Sequence, residues 1–481
     1  MIALTPSGSI LWTSTLADGT TPYSAYFGWS ATVSIADMNS DGKPEIVSGG
    51  VILDAAGRLV AGGGLVDAGN NRGAQSGGNS IVVDVEGDGT AEILTGAAAY
   101  SLDGSVKWSA NASDGYTAIG DFDGDAVPEL VVISVGVARV HNAVTGAQLA
   151  SLNIPGNGAG GPPTVADFDG DGKLDFASAV GDSYTIFTFT KLPTPQIAVK
   201  WSVATKDSSS SRTGSSVFDF EGDGVPEVLY NDECYLRVYD GKTGAVRFQV
   251  ASSSATAKQY PIAVDVDGDH DAEIVAVSDD KYQLSNVTPG CPGYEPGEQL
   301  RHGVFVYGDS GNHWVRTRKV WNQHSYHVTN IESDGTLPVP ELASFGPKGL
   351  NTYRVSEQGN GTFNAPDLRV DLAVLTTGCP ESLMLRATVR NDGSLGVPPG
   401  ALLELFYGKD ATGMLVAQAV TTVPLLPGQT ESLDIKAALA GQSAPYAFHA
   451  RVDGASPGVL DECHEDNNDA TIDGVYCESI N

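Results

Sequence analysis

The feature that most constrains this chain is a nine-residue acidic pattern that occurs six times. DFDGDGKLD, beginning at Asp167, sets four aspartates within nine residues. DMNSDGKPE begins at Asp37, DVEGDGTAE at Asp84, DFDGDAVPE at Asp121, DFEGDGVPE at Asp219 and DVDGDHDAE at Asp265. The six starts are 47, 37, 46, 52 and 46 residues apart. A period in this range marks a propeller, a solenoid or an array, in which each unit buries its apolar face only against its neighbours.

Each copy follows D-x-[DNE]-x-D-G-x-x-[DE]. Like charges this close repel, so a fold that gathers them needs a counter-ion. Side chains at alternate positions of a tight loop converge on one point, and the glycine after position 5 permits the left-handed turn this requires. The opening of an EF-hand loop places its oxygen ligands in the same way. The candidate ligands are Asp37, Asn39, Asp41 and Glu45 in loop 1 and Asp84, Glu86, Asp88 and Glu92 in loop 2. Loop 3 offers Asp121, Asp123, Asp125 and Glu129, and loop 4 Asp167, Asp169, Asp171 and Asp175. Loop 5 offers Asp219, Glu221, Asp223 and Glu227, and loop 6 Asp265, Asp267, Asp269 and Glu273. An all-protein, flexible oxygen cage suits calcium better than magnesium. Six calcium ions would move the formal charge from -32 to -20. Ala126 and His270 replace the glycine in loops 3 and 6, and strain or weaker binding is expected there.

Every motif runs directly into a β-branched stretch: PEIVSGG, AEILTG, PELVVISV, LDFASAV, PEVLYND and AEIVAVS. Hairpins follow in most units, as in YSLDGSVKW, VHNAVTGAQL and VYDGKTGAVRF, with D-G or T-G turns. ALTPSGSILW at the start and GVFVYGDSGNHWVRTRKVW after the last clear motif read as further hairpins. The 58 glycines and 25 prolines, and the lack of a 3.6-residue period, point to an all-β chain. NIESDG (330–335) reads as a degenerate seventh loop, with Pro338 where the last acid belongs. Seven loops and seven hairpins offset by half a unit predict a seven-bladed β-propeller. Its N-terminal hairpin would complete the last blade and so remove exposed edges.

Over residues 1–345 these loops resemble the FG-GAP/VCBS repeats of integrin α-subunit propellers and of many secreted bacterial proteins. The resemblance implies calcium at the residues named above, about six ions in all. Residues 346–365, rich in Gly and Asn, are expected to be a linker. Residues 366–481 carry six or seven short alternating stretches, from PDLRVDLAVL to AFHARVDG, which predict a C-terminal immunoglobulin-like β-sandwich. VRNDG, LLPGQ and LDECHEDNND in that region are similar to the cell-adhesion-related bacterial domain (CARDB). That implies an extracellular module.

With 481 residues the chain is too long for one ordinary core. A net charge of -32 argues against nucleic acid and against anionic membranes as partners. No run of 18 apolar residues is present, so no membrane insertion is expected. MIALTPSGS is not a signal-peptide pattern. Export would then mean that a leader has been removed or that the numbering begins inside a longer chain. Five cysteines (234, 291, 379, 463 and 477) leave an odd one, and three of them near the end suit a bridge.

The most unusual stretch is HWVRTRKVWNQHSYHVTN. His324 and His327 there suit an acid/base pair or a transition metal, and Trp314, Arg316, Arg318, Trp321 and Tyr326 suit a sugar-stacking or carboxylate-binding surface. The opposing expectation is that these side chains pack in the core and pair with nearby acids. Three functions remain open. One is a secreted or cell-surface calcium-binding protein that recognises a glycan or a protein. The second is a calcium-dependent polysaccharide lyase. The third is a structural subunit of an extracellular assembly, with or without self-association.

Overall fold

The computed structural model describes residues 1–24, 32–61, 79–207, 210–254, 256, 259–268, 271–279, 302–310, 314–332, 334–345, 351–356, 366–375, 378–393, 396–425, 428–439, 441–454, 460 and 467–477. Among these residues every regular element is a strand, apart from one 3-10 turn at Val328–Asn330. No helix among them is long and apolar enough to cross a membrane.

The chain opens with a hairpin of β1 (Ile2–Leu4) and β2 (Ile10–Thr13). The first sheet follows as β3 (Ser34–Ala36), β4 (Glu45–Ser48), β5 (Val51–Leu53) and β6 (Leu59–Ala61). The second is β7 (Ile81–Val83), β8 (Glu92–Leu94), β9 (Ala98–Tyr100) and β10 (Val106–Ser109). The third is β11 (Tyr116–Gly120), β12 (Glu129–Ser134), β13 (Val137–Asn142) and β14 (Gln148–Asn153). The fourth is β15 (Thr164–Ala166), β16 (Asp175–Ala179), β17 (Ser183–Thr190) and β18 (Gln196–Ala204). The fifth is β19 (Ser215–Phe218), β20 (Glu227–Asn231), β21 (Tyr235–Asp240) and β22 (Val246–Ala251). The sixth is β23 (Ile262–Val264), β24 (Glu273–Ser278) and β25 (Gly303–Tyr307).

All six are antiparallel meanders. Their first strands are neighbours, β3 beside β7, β11 beside β15, β15 beside β19 and β19 beside β23. First and second strands are almost wholly buried, because they are covered on both faces by adjacent sheets; this makes their sequences near-continuous apolar runs. Fourth strands such as β14 and β22 alternate between exposed and half-buried residues. The arrangement is propeller-like.

Two details recur. First, the third and fourth strands are joined through a one-residue bulge in every four-stranded sheet, and β1 and β2 share it. The extra residue is Leu11, Val60, Lys107, Leu149, Lys200 or Arg247. Second, a tryptophan just after the bulge packs on a turn of the following sheet. Trp108 donates its indole N–H to the Ala143 carbonyl at 2.9 Å, Trp201 to Gly241 at 2.7 Å and Trp12 to Ala55 at 3.1 Å. A Cβ at Gly146, Gly244 or Gly57 would lie 2.5, 2.8 or 2.4 Å from those rings. The hairpin β1–β2 therefore meets the first sheet as the outer pairs of the second and fourth sheets meet their successors.

The stretch WVRTRKVW, residues 314–321, does not pair with β25 as a hairpin. From Trp314 the chain turns inward: the Val315 amide donates to the Phe220 carbonyl at 3.0 Å, and the Asp265 amide to the Arg318 carbonyl at 3.2 Å. Among the described residues β25 pairs only with β24, with Val304 and Val306 exposed on it. Residues 351–356, within the stretch expected to be a linker, also run along the first strands. Tyr353 and Val165 exchange both main-chain bonds at 2.9 and 3.1 Å, and Val217 accepts from Ser356 and donates to Arg354. Asn351 clasps the main chain of Asp121, and Ser325 and Gln323 bond to Ser34 and Ile35. Residues 314–331 and 351–356 thus fill the centre between the sheets.

Toward the C-terminus lie β26 (Leu368–Leu375), β27 (Ser382–Asn391), β28 (Leu402–Tyr407), β29 (Met414–Val420), β30 (Thr430–Ala438), β31 (Tyr446–Val452) and β32 (Asp469–Val475). They form two antiparallel sheets, β26-β27-β30 and β29-β28-β31-β32, around one apolar core that includes Leu385, Leu403, Leu405 and Phe448. A disulfide joins Cys379 to Cys477, tying the β26–β27 turn to the strand end. Cys234 is disulfide-bonded as well. Cys291 and Cys463 lie outside the described residues.

Candidate metal centre

All six acidic loops connect the first strand of a sheet to its second. The ninth position is in each case the first residue of the second strand: Glu45, Glu92, Glu129, Asp175, Glu227 and Glu273. That placement buries it. Glu129 and Asp175 are fully enclosed and Glu92 and Glu227 nearly so.

Local hydrogen bonds hold the loop shape. The first aspartate accepts from amides four or five residues on. Asp37 Oδ2 accepts from Gly42 at 2.7 Å, Asp84 Oδ2 from Gly89 at 2.7 Å, Asp167 Oδ2 from Gly172 at 2.7 Å and Asp219 Oδ2 from Gly224 at 2.8 Å. The ninth-position glutamate reaches back to the amide of the second residue, as Glu45 does to Met38 at 3.0 Å, Glu129 to Phe122 at 3.1 Å and Glu227 to Phe220 at 3.1 Å.

The structure brings Asp121, Asp123 and Glu129 together, as it does Asp167, Asp169 and Asp171, then Asp219, Glu221 and Glu227, and finally Asp265, Asp267 and Glu273. Each set has ligand oxygens within 4.8 Å of one another. Loops 1 and 2 are built alike but show no such triple. Asn39 and Asp41 bond instead to the loop main chain, and Glu86 and Glu92 meet a lysine. Asp88 and Asp125 cap the amides of Thr90 and Val127, and Asp223 that of Val225. Asp269 and His270 lie outside the described residues. Four buried oxygens in the loops have no hydrogen-bond partner: Glu129 Oε1, Asp169 Oδ1, Asp175 Oδ1 and Glu221 Oε2. A buried acceptor left without a donor is costly. A hard divalent cation is the group that oxygen-only donor sets of this kind fit.

Electrostatics point the same way. Burial pushes Glu129 up to about 7, and Asp175 and Asp219 each to about 6. Glu227 is also raised, by burial first and then by the Glu221 carboxylate beside it. A cation at the centre would reverse these shifts, since its charge would dominate the local field.

Ala126, in place of the loop glycine, takes φ +65° and still donates its amide to Asp121 Oδ2 at 2.9 Å. In the degenerate seventh loop Asn330 is buried and Asp334 caps Thr336. The loop between β27 and β28 reaches loop 5, where a Cβ on Gly396 would lie 3.0 Å from the Glu221 carbonyl.

The aromatic and basic stretch lies at the centre of the sheets. Trp314 packs on Phe220 with ring centroids 4.6 Å apart, and Trp321 stacks on Tyr326 at 4.2 Å. Arg318 is buried and donates to the Val328 carbonyl at 2.8 Å and to that of Ile331. The main chain at Arg316 forms an antiparallel bridge with that at Asp271, and the His324 carbonyl accepts from Tyr260 at 2.7 Å and Arg354 at 2.9 Å. His327 is enclosed, with Nε2 2.6 Å from Glu341 Oε1. Sequence reasoning missed the lysines that enter the loops. VKW occurs twice, at Lys107 and Lys200, and that repetition was the available signal.

The family model of the FG-GAP-like repeat matches residues 121–178, from the first ligand of loop 3 to β16. A comparison with curated proteins finds no match. Among solved structures, the V. cholerae biofilm matrix protein Bap1 is similar at 19% identity, over 72% of this chain and 79% of that one, with a TM-score of 0.54. BamB from Moraxella catarrhalis aligns over 82% of this chain and 98% of that one at 12% identity and a TM-score of 0.28. The WD40 domain of SCAP from fission yeast aligns over 86% and 88% at 9% identity and 0.27. The third and fourth loops of this chain are thus similar to the FG-GAP-like repeat, and its fold to that of a biofilm matrix protein.

Proposed function

We propose that this chain is a secreted or cell-surface recognition protein whose calcium-loaded propeller binds a glycan or a protein partner. The observation that carries the reading is the sixfold loop, with its buried carboxylate at the start of every second strand. Calcium there is structural: it ties the end of each first strand to the start of the second, and binding only the folded chain adds stability by mass action. The ion would supply charge neutralisation; the chain's own residues hold it and fix the strand order around it.

The propeller is read as seven-bladed, the seventh blade taking β1 and β2 as its outer strands. The shared bulge and the Trp12 contact support this. The two C-terminal sheets are read as an immunoglobulin-like module of the CARDB kind, set on the propeller as a spacer or second adhesive unit. Likeness to a biofilm matrix protein supports an extracellular, adhesive setting. A lyase needs basic side chains open to a uronate. Arg318 and His327 are instead enclosed with internal partners, which favours recognition over cleavage.

A glycan array and a panel of extracellular matrix proteins, probed with the full chain in calcium and again in EGTA, test this. Calcium-dependent retention by at least one surface is expected. No retention by any surface in calcium would overturn the recognition reading.

A further inference from the structure

Among the described residues the sixth sheet has three strands where the first five have four. The chain leaves β25 at Tyr307 and turns inward from Trp314 instead of folding back along it. In the third and fifth sheets a fourth strand covers the third, and Ala138, Val140, Leu236 and Val238 on those third strands are buried. On β25 Val304 is 67% exposed and Val306 51%. They pair with Val277 and Val275 of β24, and Val277 is exposed as well, so an apolar strip crosses one face of the sheet. The other face is occupied: Tyr307 packs on Phe248 of the fifth sheet with ring centroids 6.0 Å apart, and Phe305 stacks on Tyr307 at 6.4 Å.

An open strand edge presents a row of unpaired N–H and C=O groups, and proteins blunt it with charge, proline or a bulge. The outer strands β10, β18 and β22 do so with Lys107, Lys200 and Arg247, each set at a bulge. β25 reads GVFVY, with no charged residue and no proline, and its register with β24 is unbroken over all 5 residues. The sequence is nearly symmetric about Phe305. A two-fold axis there sets Val304 of one copy opposite Val306 of the other, and Gly303 opposite Tyr307. Each residue then meets one of the same alternation, so the outward main-chain groups find partners and the two valine strips share a face. Past the strand ends, Asp309 of one copy comes toward His302 of the other rather than toward a second Asp309, which matters in a chain of net charge -32.

We propose that β25 is a self-association edge, through which two copies of this chain pair antiparallel about Phe305 and join their sixth sheets into one. The occupant is a second copy because GVFVY complements itself in register, in alternation and in the charges that flank it. The inference stands apart from the calcium and recognition readings, since it uses no acidic loop. A two-fold pair consumes both edges, so association closes at the dimer. A ladder of 5 residues is smaller than a standard interface, so the dimer is concentration-dependent, with a Kd of about 1–100 µM.

The test is sedimentation of the full chain in calcium-containing buffer, from about 1 to about 500 µM. It compares wild type, V304K/V306K, V304E/V306E and a control, V246K, whose position on β22 is as exposed as Val306. Wild type and V246K should pass from monomer to dimer across that range. Each double variant should stay monomeric with an unchanged melting temperature, because like charges would stand directly opposite one another. An equimolar mixture of the two double variants should dimerise, since each opposed pair then carries opposite charges. A wild type that is monomeric throughout, a dimer that survives in both double variants, or a mixture that does not pair would overturn the proposal. Should a double variant fail to fold, amide exchange at residues 303–307 of wild type decides alone. It should slow from the bottom of the concentration range to the top, and an unchanged rate would overturn the proposal.

Discussion

At the scale of single residues, two positions carry measurable energy. Ala126 sits at φ +65°, where a side chain costs roughly 1–2 kcal/mol relative to glycine. Loops 1, 2, 4 and 5 place glycine there, with φ between 80 and 87°. Ala126→Gly should therefore raise the urea midpoint, corresponding to about 0.5–1 kcal/mol of added stability after the entropy of the unfolded chain is counted. An unchanged or lowered midpoint would show that the loop is not strained there. His327 is the second position. Burial alone would lower its pKa; the Glu341 carboxylate and the hydrogen bonds to Glu341 and the Ser325 carbonyl outweigh burial and raise it. A raised value in the folded state means stability that is fully present below pH 6.5 and is lost as pH rises through the raised value. Urea titrations across that window should show this loss in wild type. Glu341→Gln should flatten it, and a slope that survives the substitution would assign the effect to other groups.

At the scale of elements, the second strands and their loops were legible because the signal is local. The acid at position 9 begins each second strand, so PEIVSGG or PELVVISV announces both loop and strand at once. The stretch 314–331 was not legible in the same way. Its alternation is real, with Val315 and Thr317 buried, and it suits a hairpin strand equally well. Its actual partners, Phe220 and Asp265, are remote in sequence, and its basic groups find main-chain carbonyls that no pattern announces. The same holds for 351–356, where glycine and asparagine suggested a linker and Asn351 instead clasps Asp121. Packing between sheets gives the element-scale prediction. Gly146→Ala should cost about 2–4 kcal/mol, since its Cβ would lie 2.5 Å from Trp108 at φ +72°. Trp12→Ala should cost about 2 kcal/mol or more in thermal melts, comparable with Trp108→Ala, because both tryptophans join one sheet to the next. A silent Trp12→Ala alongside a costly Trp108→Ala would contradict the proposal that β1 and β2 are the outer strands of a seventh blade.

For the whole molecule, charge and shape are one problem. A chain of net charge -32 gathers 23 carboxylates into six loops on the same connection of each sheet. Lysines such as Lys107, Lys191 and Lys200 offset part of that repulsion, and on the calcium reading cations from solution offset the rest. A site saturated a hundredfold above its Kd adds about 2.7 kcal/mol. At about 2–4 °C per kcal/mol for a body of this size, several ions together should hold the melting temperature about 10 °C or more above its value in EGTA at neutral pH. A fall of under a few degrees would mean that the sheets stand without the metal.

The most direct test is elemental analysis of the purified chain after exhaustive dialysis against metal-free buffer without chelator. Calcium should remain at more than one ion per chain. A chain that retains essentially no divalent ion, yet melts cooperatively at an unchanged temperature, would contradict the account.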